Sequence, residues 1–115
     1  LKPLKIIVPA ELELHEVTMW YRERDPRVAD RFAAEARKTL RLIEQFPQIG
    51  GSVFGIDDRH VRRMPIHSFP YGIVFVDLGD SIEVVAFARS AETRLLHHPA
   101  AQVVAIHAFT CAMLG

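Results

Sequence analysis

Between His60 and Ala88, three runs rich in β-branched and aromatic residues follow one another with connections too short to hold a helix. The runs are His60 to Ser68, Tyr71 to Leu78 and Ile82 to Ala88, and they are joined at Phe69-Pro70 and at Gly79-Asp80. Parallel neighbours need a crossover of a dozen residues or more, whereas antiparallel ones need only a tight turn. These three runs must therefore form an antiparallel meander. Its middle member carries the continuous apolar string Gly72-Ile73-Val74-Phe75-Val76, the pattern of a buried strand.

The residues before the meander change period. Lys5-Ile6-Ile7-Val8 is a short β-branched run stopped by Pro9 and reads as an opening strand that joins the later sheet. From Ala10 to Arg24 the apolar residues Ala10, Leu14, Val17 and Tyr21 recur at helical spacing, with Glu11, Glu13 and Glu16 placed early, where the helix dipole favours anions. Asp25-Pro26 breaks this helix, because proline disfavours helical geometry in the residue before it yet suits the first turn of the next helix. The second helix, with Asp25 as its N-cap, carries the stripe Val28, Phe32, Ala36, Leu40 and Ile43. It ends near Phe46, before Pro47 and Gly50-Gly51. Its other face mixes Arg27, Arg31, Lys38 and Arg41 with Asp30, Glu35 and Glu44, which reads as a solvated face of i,i+4 pairs. Residues 47 to 60 read as a loop.

The expected fold class is thus α+β: a short N-terminal strand, an antiparallel helical hairpin, then a three-stranded antiparallel meander forming one sheet with both helices on one face. At 115 residues this is a single domain, divided into a structured part over 1–90 and an apolar tail over 91–115.

Charge and cysteine usage exclude several classes of function. Fourteen basic residues balance fourteen acidic ones, so no global field draws the molecule to nucleic acid or to an anionic membrane. Eleven of the cations are arginines, either because a planar fork suits a recognition surface or because the genome is GC-rich. One cysteine, Cys111, makes no internal disulfide, and the expected location is the cytoplasm. The longest apolar stretch, near the C-terminus, is interrupted by His107 and Thr110 and falls short of the roughly 20 residues of a membrane span. No phosphate-binding glycine loop, HExxH helix or CxxC pair is present, so no cofactor is expected. His97, His98, His107 and Cys111 match no standard metal-ligand spacing, and no metal is expected either. The chain opens on Leu1, read as a trimmed fragment or a non-AUG start.

The informative segment is Arg62-Arg63-Met64-Pro65-Ile66-His67-Ser68-Phe69-Pro70-Tyr71-Gly72-Ile73-Val74-Phe75. Trp20-Tyr21 late in the first helix, Phe32 and Glu35 in the second, and Phe46-Pro47 with Gly50 after it complete the pattern. In this order and spacing, from Lys5 to Ala88, the chain resembles the RelE/ParE superfamily, the toxins of bacterial type II toxin–antitoxin systems. The resemblance implies a cytoplasmic toxin held silent by a cognate antitoxin whose extended segment wraps it, as a homo- or hetero-oligomer with that antitoxin. It implies one of two targets: DNA gyrase for ParE-like members, or mRNA on the ribosome for RelE-like ones.

The residues favour the ParE branch. A nuclease needs cations and an acid/base pair around the scissile phosphate. RelE-like nucleases place one such arginine directly after the aromatic residue that opens the middle strand, where this chain has Gly72. Arg62, Arg63 and Arg89 are the cations that remain, and they are the candidate catalytic set of the alternative reading, a ribosome-dependent endoribonuclease. The candidate residues for binding target or antitoxin are Arg62, Arg63, Tyr71 and Arg89. The plainer reading of the arginine pair, whose members face opposite ways on a strand, is one side chain in solvent and one paired with a carboxylate. Trp20, Tyr21 and Tyr71 read as core.

After Ala88 the chain departs from the family, which continues with a segment resembling Arg-Arg-Pro-Gly-Tyr-Trp. A permitted codon set for Ala91 to Leu96, shifted by one nucleotide, encodes Arg-Arg-Pro-Gly-Tyr, so a frameshift between Arg89 and Ala91 is expected. It would leave either a weak toxin or a remnant that only binds antitoxin.

Overall fold

The computed structural model describes residues 2–53 and 58–89. Seven elements follow in chain order: β1 (Leu4–Ile6), α1 (Val8–Arg24), α2 (Pro26–Gln45), β2 (Gly51–Ser52), β3 (Val61–Pro65), β4 (Tyr71–Asp77) and β5 (Ile82–Arg89). The strands make one sheet in the order β1-β5-β4-β3-β2. The expected α+β class and the β3–β4–β5 meander are present, with antiparallel registers running from Val61↔Val76 to Pro65↔Gly72 and from Tyr71↔Arg89 to Asp77↔Ile82.

Two strands at the margins complete the sheet. The opening strand lies parallel to β5, with Leu4 opposite Ile82 and Ile6 opposite Val84, and this makes the sheet mixed. At the other edge Gly51 and Ser52 pair with Arg63 and Arg62, inside the segment read as a loop. An exposed Gly-Ser pair carries no apolar alternation to betray a strand, so the partner's edge and not the sequence pattern places β2.

Pro9 ends no strand. It sits in the first turn of α1, where a missing N–H costs nothing, so the helix starts at Val8 instead of Ala10. Asp25 closes one helix and opens the next: its N–H donates to the Tyr21 carbonyl at 2.8 Å, and its carboxylate accepts from the Arg27 N–H at 3.0 Å. Pro26 follows at the start of α2.

Both faces of the sheet are apolar. The helix side buries Ala10, Phe32, Ala36, Ile43, Ile66, Ile73, Phe75, Ile82, Val84 and Phe87, with Leu14, Val17, Tyr21 and Leu40 packed around them. The opposite side groups Val61, Val74, Val76, Val85, Ala86 and Ala88 with Val53. This two-sided burial accounts for the uninterrupted apolar string of β4, and each fully buried large side chain contributes about 1.5–3 kcal/mol. Between Val74↔Ala86 and Phe75↔Val84 the register slips by one and leaves Val85 as the extra residue of a bulge. The turn into β4 is held by the Ile66 N–H on the Tyr71 carbonyl (2.9 Å), with Ser68 in the left-handed region at φ 69°. The tail over 91–115, with the expected frameshift, lies outside the described residues.

Candidate functional site

Strand alternation distributes the candidate residues before any chemistry does. Tyr71, the first residue of β4, points to the helix side and meets Phe32 at 5.9 Å between ring centroids. Directly across the ladder, the exposed Arg89 donates through Nη1 to the Tyr71 hydroxyl at 3.2 Å, with its guanidinium carbon 5.3 Å from the ring centroid. Tyr21 joins them from α1 through Phe32 and Phe69, at 5.4 and 5.3 Å. Burial pushes the Tyr21 hydroxyl above its ordinary pKa and neighbouring Tyr71 adds to this, while the Arg89 charge opposes it.

The arginine pair splits across the sheet. Arg62, opposite Phe75, turns to the Gly50 corner and donates to the Gly50 carbonyl at 3.3 Å. There it lines a pocket of about 260 Å³ with Pro47, Gln48, Arg59, His60 and Asp77. Asp77 is itself engaged: burial pushes its carboxyl up, but hydrogen bonds from Lys2 at 2.9 Å and from the Gly79 N–H at 3.0 Å hold it below its ordinary value. Arg63, opposite Val74, belongs to the other face, where its guanidinium lies over Gly72. A Cβ on Gly72 would overlap that group, so the glycine at this position makes room for Arg63.

Of the four candidate residues the structure therefore brings two together, Tyr71 and Arg89, and separates Arg62 from Arg63. The expectation of a core position for Trp20 is corrected. Its side chain is 49% exposed and lies under Arg24, whose guanidinium carbon is 3.5 Å from the ring centroid, whereas Tyr21 and Tyr71 pack on the core as expected. Trp20 falls on the flank of α1 and not on its Ala10–Leu14–Val17–Tyr21 stripe, a signal the helical spacing already contained.

The roles of three polar residues were missed. Arg59 and His60 stand beside Arg62 because the turn into β3 aims them at the same pocket. Glu13, read as a dipole-favoured acid, reaches β5 and accepts from the Phe87 N–H at 3.2 Å. Its carboxyl is pushed up to about 7, by burial first and by neighbouring Glu16 as well, against the hydrogen bond from Phe87. Among the described residues no three His, Cys, Asp or Glu side chains gather as a metal site, and no helix is long and apolar enough to cross a membrane. His97, His98, His107 and Cys111 lie outside the described residues.

The helical hairpin laid on one face of a small sheet, with an arginine pair one strand ahead of the aromatic residue that opens the central strand, fits the RelE/ParE class of toxins that the sequence resembles. The family model described as the ParE toxin of the type II toxin–antitoxin system parDE matches residues 5–94. The chain belongs to this ParE toxin family. Among solved structures, a chain from the chromosomal ParDE toxin–antitoxin system of P. aeruginosa superposes with a TM-score of 0.66 at 19% identity, over 76% of this chain and 95% of that one. No curated protein matches the chain.

Proposed function

We propose that this toxin acts by binding DNA gyrase, without catalysing a reaction, and that a cognate antitoxin neutralises it. The observation that carries the reading is the place of Gly72. The position that holds an arginine in the mRNA-cleaving branch carries no side chain here, and the guanidinium of Arg63 fills the space above it. The three arginines of the alternative catalytic set are dispersed, with Arg62 at the Gly50 corner, Arg63 on the opposite face and Arg89 against Tyr71. A phosphodiester transition state needs its charge-neutralising and acid/base groups converging within hydrogen-bond reach of one phosphate. A surface that binds a protein target tolerates such dispersal, because its anchors act over an extended patch. Induced expression should then give DNA-damage signalling with intact mRNA. Codon-positioned mRNA cleavage abolished by Arg62→Ala would instead install the ribonuclease reading, for which His60 beside Arg59 and Arg62 supplies the missing proton-transfer group.

A further inference from the structure

Short-range hydrogen bonds fix the turn into β3. Asp58 accepts the His60 N–H on its carboxylate at 2.8 Å and the Val61 N–H on its carbonyl at 3.1 Å, and the His60 carbonyl accepts the Asp77 N–H at 2.9 Å. These bonds hold Arg59 and His60 beside Arg62 of β3, and all three line the pocket of about 260 Å³ that Pro47 and Gln48 close from the α2–β2 connection. Arg62 is tied to that connection as well, because it donates to the Gly50 carbonyl at 3.3 Å. The bond occupies one of its N–H groups and orients the planar fork, and the others remain for a ligand.

The charges in this corner do not cancel. Asp77 is the lining carboxylate, and Lys2 engages both its oxygens, at 2.9 and 3.1 Å. The Asp58 carboxylate accepts from the His60 N–H and is not part of the lining. Among the described residues neither Arg59 nor Arg62 stands in an ion pair, whereas Arg22, Arg24 and Arg27 each have a carboxylate within 4.0 Å. Lys2 and Asp77 thus offset one another, and two guanidinium groups, an imidazole and the Gln48 amide remain around one cavity.

We propose that this pocket binds one phosphate group, as a phosphomonoester or as the free ion. Such a group carries a charge of about −1.5 to −2 at neutral pH and three strong acceptor oxygens, which two guanidinium groups can share. A carboxylate is already satisfied by one bidentate fork. The cavity is slightly smaller than the roughly 300–1,000 Å³ of drug-sized ligand sites, which leaves room for a phosphate and a small group attached to it. A polynucleotide backbone needs a track of cations instead, and the other arginines of the sheet stand elsewhere, Arg63 on the opposite face and Arg89 against Tyr71. The site goes beyond the gyrase reading, which places no ligand in this pocket, and its occupation involves no reaction.

The test is an NMR titration of the full, isotope-labelled chain with sodium phosphate, adenosine monophosphate and sodium acetate in separate samples, at an ionic strength held constant with sodium chloride. Phosphate should shift the amide signals of Gly50, Arg59, His60 and Arg62 to saturation. Arg59→Ala, at an exposed position, should weaken its affinity about tenfold, while Arg41→Ala, which removes an exposed arginine of α2, should leave it unchanged. Arg59→Gln serves the same purpose should alanine disturb the turn, and the spectrum itself reports whether each variant is folded. Tighter binding of adenosine monophosphate than of phosphate identifies a phosphomonoester as the ligand, and equal or weaker binding identifies the free ion. Acetate bound as well as phosphate, shifts scattered away from the pocket, or equal affinities in the Arg59 and Arg41 variants overturn the proposal. A DNA duplex that displaces adenosine monophosphate at a far lower concentration overturns it too, because a polynucleotide backbone is then the ligand. None of these outcomes bears on the gyrase reading, which is tested by binding of gyrase itself.

Discussion

Two glycines show how single positions shape the candidate surface. At Gly72 the obstacle to a side chain is the end of the Arg63 side chain, whereas at Gly50 it is backbone: a Cβ there would stand 2.5 Å from the Arg63 carbonyl oxygen, on a residue whose φ is +92°. The first obstacle can be moved and the second cannot. Gly72→Ala should cost about 1–3 kcal/mol through displacement of Arg63 and should be largely rescued by Arg63→Ala. Gly50→Ala combines overlap with left-handed backbone, so its cost of at least about 1–2 kcal/mol should persist in the Arg63→Ala background. Urea unfolding of the two double-mutant cycles separates them. Glu13 gives a pH test at the same scale. Its folded pKa of about 7 lies above the ordinary 4.5, so between these values the folded protein holds a proton that the unfolded chain has released. Stability therefore falls as pH rises through that window and levels off above it. Glu13→Gln, which keeps an acceptor for the Phe87 N–H and carries no charge, should flatten this dependence. Equal pH slopes for mutant and wild type between pH 5 and 8 would refute the assignment.

The hairpin of helices depends on one residue that serves both. Asp25 offers its N–H to α1 and its carboxylate to α2, so Asp25→Ala removes the acceptor of the Arg27 N–H and should lower stability by about 1 kcal/mol, while Asp25→Asn should cost less. This joint was legible because Asp-Pro encodes both a stop and a start in two adjacent residues. The meander was legible for a similar reason: three runs with two short connections leave only antiparallel pairing. What escaped reading was set by partners distant in sequence. β2 exists because Gly51 and Ser52 lie beside Arg63 and Arg62, and the parallel placement of β1 comes from β5, more than seventy residues later. The candidate site was legible in its residues and not in its geometry. Alternation separates Arg62 from Arg63, while only the long-range β4–β5 ladder shows that Arg89 reaches Tyr71.

At the scale of the whole molecule, the sheet carries its cations on different faces and at different ends, and this dispersal distinguishes a binder from a catalyst by how mutations combine. In an active site the groups act on one transition state as a unit, so removing one loses most of the rate and removing a second adds little. On a binding surface, well-separated residues that share no partner contribute nearly independent free energies. Arg62 engages the Gly50 carbonyl, Arg63 lies over Gly72 on the other face, and Arg89 sits on Tyr71, so they share none of these neighbours. For the gyrase-binding reading, the double variants Arg62→Ala with Arg89→Ala and Arg63→Ala with Arg89→Ala should weaken binding of purified gyrase by the product of the single effects. The singles should lose about five- to thirtyfold if each side chain contributes about 1–2 kcal/mol, a contribution that only the stronger minority of interface residues make. Growth arrest, read as the inducer concentration needed to halt division, should follow the same multiplication. A single substitution that abolishes arrest, with the second adding nothing, would be the signature of one cooperative centre and would point to catalysis at the pocket where Arg59, His60 and Arg62 meet.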